Sequence, residues 1–564
     1  MGIPSYFSHI VRQHRKIIKP INFTDSPKIN NLYLDCNSFI YEAHQRLAQN
    51  NKKIISLDVR DTLLYESSII SEVCTSLVNF IQLLKPNKRL LIAFDGVAPL
   101  AKLNQQRNRR YMSAFQVSLD DRHIKDKSSS YRWNTSAITP GTNFMHDLST
   151  EIKAKFSQPQ LFGLDEIMVS TSDEPGEGEH KIYEYIRSEA AYHKETYTVI
   201  YGLDADLIML TLNHLHISEN LYLFRETPEF IKNLDKTLNP NETYLLDIPL
   251  FAKSIIQELS NVQSAGLQSA GLQSAGLQSA GLQSAGLQSA GLQSASSNDV
   301  LFDYILLCFF LGNDFLPHFP ALNIRTNGID RLILAYKHVF AGAKNETLTK
   351  NREIVWKNLR KYIDYLAANE LTYIKEEYVN REKSSKYALS GNGDANLLLP
   401  LQERQIELFI NPNESGWEAR YYKTLFELRI DDDRRREISI NYLEGLEWTM
   451  KYYSTGCADW RWTYNYYYPP LLADLIKHVP YFAHTFVPFK PANPVSQLVQ
   501  LSYVLPPSGM DLLPAALKNK LLKSEPAWYV GNYTFLWAFC KFFWEAHVEM
   551  PKIDIKRLEE IVEG

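Results

Sequence analysis

The sequence has no excess of basic residues. Its 60 Lys and Arg stand against 64 Asp and Glu, a formal net charge of −4. A diffuse polycationic surface is thereby excluded, and a polyanion must be met by a local patch. Cysteine is scarce: Cys36, Cys74, Cys308, Cys457 and Cys540 lie far apart and form no CxxC pair. That spacing argues against a zinc site and fits free thiols in a reducing compartment. Long hydrophobic runs are missing too. The longest, "VLFDYILLCFFLG", is broken by Asp303 and is too short to cross a bilayer. Near the start, Arg12, His14, Arg15 and Lys16 interrupt the apolar stretch a signal peptide needs, and Tyr6 stands where a myristoylation signal wants Ser or Thr. An intracellular, soluble protein without a membrane partner is expected, in cytoplasm or nucleus.

Hydrophobic residues make up 45% of the chain, ordinary for a folded globular protein. Its 564 residues suggest several domains. From Gln263 to Ala295 the sequence is "QSAGL" six times and then "QSA". A five-residue period turns an apolar residue by roughly 140° per repeat on an α-helix, so no Leu stripe forms, and a Gly in each unit weakens helix further. Residues 263–297 are expected to be a disordered surface loop between an N-terminal region, 1–262, and a mainly helical region, 298–564.

Before the repeat, four apolar runs of strand length are each followed by helix-like sequence: "NNLYLD", "KRLLIAFD", "DEIMVSTSD" and "TYTVIYGLDAD". The alternation predicts an α/β fold with a largely parallel central sheet flanked by helices. Each run ends in acid: Asp35, Asp95, the pair Glu177 and Glu179, and the pair Asp204 and Asp206. In a parallel sheet the carboxyl ends of the strands share the edge where ligands bind. Like charges ~4 Å apart at an effective dielectric of ~20 cost on the order of 4 kcal/mol per pair, so six such groups call for bound cations. Hard oxygen ligands without a Cys or His cluster select Mg²⁺ or Mn²⁺, and two such ions suit phosphodiester hydrolysis. Asp314, in "LGNDFLPHFP", is a seventh candidate.

The segment "EPGEGEH" packs three glutamates into residues 174–180. Pro175, Gly176 and Gly178 permit a tight backbone that presents Glu177 and Glu179 to one metal pair. The following helix, with Ile182, Tyr185, Ile186 and Ala190 on one face, anchors the turn. Immediately after Asp95, "GVAPLAKLNQQRNRRYMSA" predicts a helix beginning at Pro99. Lys102, Gln106, Arg109 and Arg110 fall at i, i+4, i+7 and i+8, a stripe spanning roughly 100° of arc, whereas Arg107 points elsewhere. Lys as a point charge and Arg as a forked donor suit a terminal phosphate.

These blocks resemble the XRN family of 5′→3′ exoribonucleases. "AFDGVAPLAKLNQQRNRR", "ITPGTNFM", "EPGEGEHKIYEYIR", "YGLDADLIML" and "LLCFFLGNDFLPHFP" match its nuclease signatures in order. "YLEGLEWTMKYYSTGCADWRWTYNYYYPP" resembles its second conserved region and "WEAHVEMPKIDIKRLEE" the end of its catalytic core. The resemblance implies a PIN/flap-nuclease-like core and a Mg²⁺-dependent enzyme, with two ions, that degrades 5′-monophosphorylated single-stranded RNA processively to mononucleotides. By motif, Asp35, Asp95, Glu177, Glu179, Asp204, Asp206 and Asp314 become the metal ligands and catalytic groups. Lys102, Gln106, Arg109 and Arg110 become the monophosphate pocket. Decapping or other RNA-decay factors are partners that no motif here specifies.

Three positions depart from the family pattern. Ser38 stands for a Gly, Asn143 for a Glu, and Tyr41 for a His that stacks on a substrate base with a Trp of the second region. Tyr41 retains a π face for stacking, with Trp460 or Trp462 as partner. The chain is expected to be a minimal core enzyme lacking the C-terminal extension of the large family members. Two other readings differ in what they predict. A flap-type DNA nuclease shares the strand-end acids but not the "NQQRNRR" block, and an inactive RNA-binding scaffold predicts the loss of a metal ligand, yet all seven are present.

Overall fold

A computed structural model describes residues 2–21, 28–50, 59–123, 133–225, 244–260, 297–340, 346–390, 397–426, 431–531 and 533–564. The QSAGL repeat lies outside the described residues. Among them, one sheet contains seven strands: β1 (Ile18–Pro20), β2 (Asn31–Asp35), β3 (Arg89–Ala93), β4 (Glu166–Ser170), β5 (Thr198–Tyr201), β6 (Leu221–Phe224) and β7 (Tyr244–Leu246), in the order β1-β7-β6-β5-β2-β3-β4. The four strands expected from the sequence are β2 to β5, and they lie side by side and parallel. β6 joins β5 in parallel, and β7 and β1 close that edge antiparallel, which makes the sheet mixed. The sequence reading did not single out β1, β6 and β7, which are three or four residues long and too short to show a period.

β2 is central and covered on both faces, so its residues are apolar in succession. Alternate residues still part company. Leu32 and Leu34, with Leu90, Ile92, Val199 and Tyr201, face one core, and Tyr33, Leu91 and Ile200 face the other. The first core is closed by helices α1 (Asn37–Asn50), α2 (Val59–Leu84) and α4 (Asn143–Lys155), through residues such as Phe39, Val73, Leu77 and Leu148. α2 is long and apolar enough, by length and composition alone, to cross a membrane. Its apolar face is spent on this core. Helix α3 (Leu100–His123) leaves the end of β3 and is discussed with the site.

The second core is closed by α5 (Gly178–Ser188) and α6 (Asp206–His214) and by the region after residue 297. There α7 (Ser297–Phe309), α8 (Gly328–Phe340), the 34-residue α9 (Trp356–Leu389) and α10 (Asp432–Ser454) predominate. Ile305, Leu332, Leu359, Tyr362 and Trp448 belong to the same apolar cluster as Ile200, Ile182 and Ile208. The helical region is therefore an integral wall of the central sheet.

Candidate active site

The parallel register brings the strand ends level. Asp35 pairs with Ala93, Ala93 with Ser170, and Leu34 with Tyr201, so the chain leaves all four strands at one edge. Asp35 is the last residue of β2, Asp95 follows β3, Glu177 and Glu179 sit in the turn into α5, and Asp204 and Asp206 lead into α6. Asp314 arrives from beyond α7. All seven are gathered in one electrostatic neighbourhood. Burial, and then Asp95, Asp204 and Glu177, drive the Asp35 carboxyl well above its ordinary range. Burial and then Asp206 do the same to Glu179. Asp206 is pushed up to about 7 by burial first and Asp314 second.

The "EPGEGEH" turn works as its composition suggests. Gly176 adopts φ +108° and its amide donates to Val97 O at 2.7 Å, while its carbonyl accepts from Gly96. The Gly178 amide donates to Asp95 Oδ1 at 2.7 Å. A Cβ on Gly178 would fall 2.7 Å from Asp35 Oδ1, so only glycine lets the turn close over β2. Behind it, Ile182 and Ile186 are wholly buried, whereas Tyr185 is half-buried and Tyr183 takes the inner place instead.

Lys102 departs from the expected phosphate stripe. It is buried, its ammonium pairs with Glu177, and it lies 2.8 Å from Asp314 Oδ2. Burial would raise Asp314, but Lys102 holds that carboxyl below the usual range. Helical periodicity assigns a face; it does not say that a four-carbon stem near the helix start reaches back into the acids. Arg110 also turns inward, donating to the carbonyls of Ser136 and Ile138 at 3.2 Å, and burial lowers it to about 10. Gln106 keeps a buried Oε1 without a partner, and Arg109 is exposed and makes no salt bridge among the described residues. Arg107 points away as expected, to Pro551 O at 2.8 Å.

Do these residues fit a divalent cation? Among the described residues no three Asp, Glu, His or Cys side chains are gathered in metal-ligand geometry. The donor chemistry nevertheless fits: Glu179 Oε2 and Asp206 Oδ1 are buried without a hydrogen-bond partner, and Lys102 is the one side-chain cation among the described residues that forms a salt bridge with Glu177 and Asp314. Buried carboxylate oxygens left unmatched are costly, and a hard cation relieves them.

The helical region completes the site through α10. The Tyr452 hydroxyl donates to Glu177 Oε1 at 2.7 Å, and Tyr453 hydrogen-bonds Asp206. Tyr452 is stacked between His180, at 3.7 Å, and Trp448, at 4.7 Å between ring centroids, and Trp448 in turn stacks on Trp462 at 5.1 Å. Trp462 is thus a core residue, with its Nε1–H on Glu444, and this removes it as a base-stacking candidate. Trp460 is half-buried, its carbonyl accepting from Leu100 at the start of α3, and Tyr41 on α1 is 39% exposed. Sequence reasoning missed Tyr452, Tyr453 and also Asn37, which donates to Asp95 Oδ2 and accepts from the Asp95 amide. The tyrosines were hidden in an aromatic-rich run; Asn37, two residues after Asp35, was the available signal. Ser38 buries an unpartnered hydroxyl, and Asn143 is an exposed first residue of α4 beside the capping Thr142.

Comparison with known proteins agrees with this geometry. Residues 1–227 match the family model described as XRN 5'-3' exonuclease N-terminus, and residues 295–398 and 400–563 match the Xrn1 helical domain. Human 5'-3' exoribonuclease 1 is 27% identical, the match covering 100% of this chain and 34% of the relative. The 5'-3' exoribonuclease 1 of Schizosaccharomyces pombe is 26% identical over 99% of this chain and 48% of its own length. The 5'-3' exoribonuclease 2 of Debaryomyces hansenii is 25% identical over 100% of this chain and 70% of its own. The chain thus spans between a third and a half of the first two relatives. With nuclease sheet and helical wall both matched, in order and along nearly the whole sequence, the chain belongs to the XRN family.

Proposed function

We propose that this protein is a 5′→3′ exoribonuclease that hydrolyses single-stranded RNA bearing a 5′-monophosphate, releasing mononucleotides processively. The observation that carries the reading is the convergence of seven acids at the carboxyl edge of the sheet, with the basic helix α3 leaving the same edge. Asp35, Asp95, Glu177, Glu179, Asp204, Asp206 and Asp314 would hold two Mg²⁺ ions, with Mn²⁺ as substitute. When bound, the ions supply Lewis-acid charge at the scissile phosphate and lower the pKa of the attacking water.

The chain's own residues do the positioning. Arg109 would offer the 5′-phosphate an exposed donor and half-buried Gln106 a second, Arg110 backs them, and Lys102 sits among the acids. A terminal monophosphate would suit this small donor set, and further phosphates or a cap would overrun it. Half-exposed Tyr41 and Trp460 would stack on the first base without reading its identity. Tyr452 holds Glu177 in one rotamer through its hydroxyl.

The test uses matched RNAs carrying 5′-monophosphate, 5′-hydroxyl or 5′-triphosphate, with and without Mg²⁺, beside Asp206→Ala. Mononucleotides are expected only from the monophosphate with metal, and none from the variant. Equal digestion of all three ends would remove the role given to α3, and faster cutting of a DNA flap would overturn the substrate class.

A further inference from the structure

The loop between α10 and the C-terminal helices presents a surface that the chemistry at the sheet edge does not use. Residues 479–494 contain no helix or strand, yet their backbone is pinned at several points. The Phe486 amide donates to Glu447 Oε2 at 2.7 Å, Trp356 Nε1 to His484 O at 2.8 Å, Lys451 Nζ to Val487 O at 2.7 Å, and the Lys490 amide to Ala458 O at 2.8 Å. On this fixed backbone Tyr481, Phe482 and Phe489 are 68%, 67% and 57% exposed. Leaving such rings in water forgoes the stabilisation that burying them would bring. Ordered backbone with outward rings is the arrangement of a surface meant to be covered.

The company of these rings indicates what covers it. The Arg360 guanidinium lies 4.0 Å over Tyr481 and the Lys451 ammonium 5.4 Å from the Phe489 ring. Phe482 meets His484 edge-on at 6.1 Å. Between Lys451 and His484 opens a cavity of about 290 Å³, with Trp356 and Met450 in its wall and Arg352 on its rim. Arg352 sits half-buried in a hairpin turn at φ +71°, in electrostatic reach of Arg187, His214 and His216, and makes no salt bridge among the described residues. Two acids also line the cavity, Glu353 and Glu447, and Glu447 is already engaged by Lys451 at 2.6 Å and by the Phe486 amide. Exposed rings alternating with cations suit a strand of unpaired bases joined by phosphates. An apolar protein segment would gain nothing from the interleaved charges.

The loop is tied to the site along the chain and through α10. Lys451 faces the cavity while the next residue, Tyr452, reaches Glu177. Residues 490–493 run beside 458–461, which carry Trp460: the Lys490 ammonium meets Asp459 at 2.7 Å, and Arg461 donates to Asn493 O at 2.8 Å. We infer that the Tyr481–Phe489 loop and the Arg352 cavity form a second single-stranded RNA contact, which receives nucleotides downstream of those at the acid cluster. The inference rests on the exoribonuclease reading, and its test separates the two.

Full-length protein carrying Asp206→Ala is titrated, by fluorescence anisotropy, against 3′-fluorescein-labelled 5′-monophosphorylated oligouridylates of 4 and 20 nucleotides. The same protein with Tyr481→Ala, Phe482→Ala and Phe489→Ala is expected to bind the 20-mer about tenfold more weakly or worse, with the 4-mer affected much less. Ring-preserving changes, Tyr481→Phe with Phe482→Tyr and Phe489→Tyr, are expected to restore 20-mer affinity to within about twofold. If the alanine triple does not fold, Arg352→Glu carries the test through the same selective loss. Equal 20-mer affinity in parent and alanine triple, or an equal loss on both lengths, overturns the inference. Failure of the unsubstituted enzyme to digest any RNA would instead overturn the exoribonuclease reading, and anisotropy would still report on the loop.

Discussion

Trp460 and Trp462 lie two residues apart in "DWRW" and have opposite fates. The Trp462 indole is sealed into a stack with Trp448, whereas Trp460 stays half-exposed beside the start of α3. Trp462→Ala is therefore expected to cost about 3–5 kcal/mol of stability, seen as a drop in thermal midpoint. Trp460→Ala should leave the midpoint nearly unchanged and weaken binding of 5′-phosphorylated RNA by about 1–3 kcal/mol. The reverse pattern would exchange their roles. Asp303, the one charge in the longest apolar run, makes a different kind of statement. Its carboxyl accepts from Tyr336, the Leu348 amide, and both the amide and hydroxyl of Thr349, and burial drives it up to about 7. Because the folded value is raised, its contribution is complete below about pH 4 and is lost as pH rises through 7. In a thermal scan from pH 5 to 8 the parent midpoint is expected to fall from pH 5 to about 7 and to level off above it. Asp303→Asn should start lower, by about 1–3 kcal/mol for the mismatched donors, and show a flatter profile. A parent profile no steeper than the variant's would remove the assignment.

At the level of elements, the strand ends were legible because a parallel sheet turns sequence order into spatial coincidence: four runs ending in acid had to share an edge once β2 to β5 paired in parallel. The reach of side chains was not legible. Lys102 falls on the predicted face of α3 yet enters the acids, and the 100° step of a helix does not encode that choice. Nor did sequence pattern single out α10 as the helix whose consecutive tyrosines touch Glu177 and Asp206, since aromatic residues near the end of a buried helix ordinarily mean packing. The ladder from Trp462 to His180 shows them doing both. Tyr452→Phe separates the two roles, because it keeps the ring stack and deletes only the hydroxyl donated to Glu177. Loss of a group that orients a ligand typically costs 10–100-fold in metal affinity or activity. The expected outcome is a loss of that size in Mn²⁺ affinity measured by electron paramagnetic resonance, at an unchanged thermal midpoint. Unaltered Mn²⁺ affinity would reduce Tyr452 to packing.

At the scale of the whole molecule, the apolar cluster that holds Ile200 and Ile208 also holds Leu359 and Trp448, so the two regions share one interior and the acid site is built from both. The repeat falls between helix Ile248–Ser260 and α7, which pack against one another, so the junction is already bridged by contact. A QSAGL period offers a helix no apolar stripe to bury in the shared core. Replacing residues 261–296 with a short Gly/Ser linker then changes only loop closure. Shortening a loop from roughly 36 to about 8 residues recovers about 1.3 kcal/mol, which in a chain of this size raises the thermal midpoint by about 1 °C. The shortened protein is expected to melt at or slightly above the parent's midpoint and to digest 5′-monophosphorylated RNA at the parent's rate. A midpoint several degrees lower would mean that the repeat contributes to the fold, and a slower rate at an equal midpoint would mean that it contributes to substrate handling.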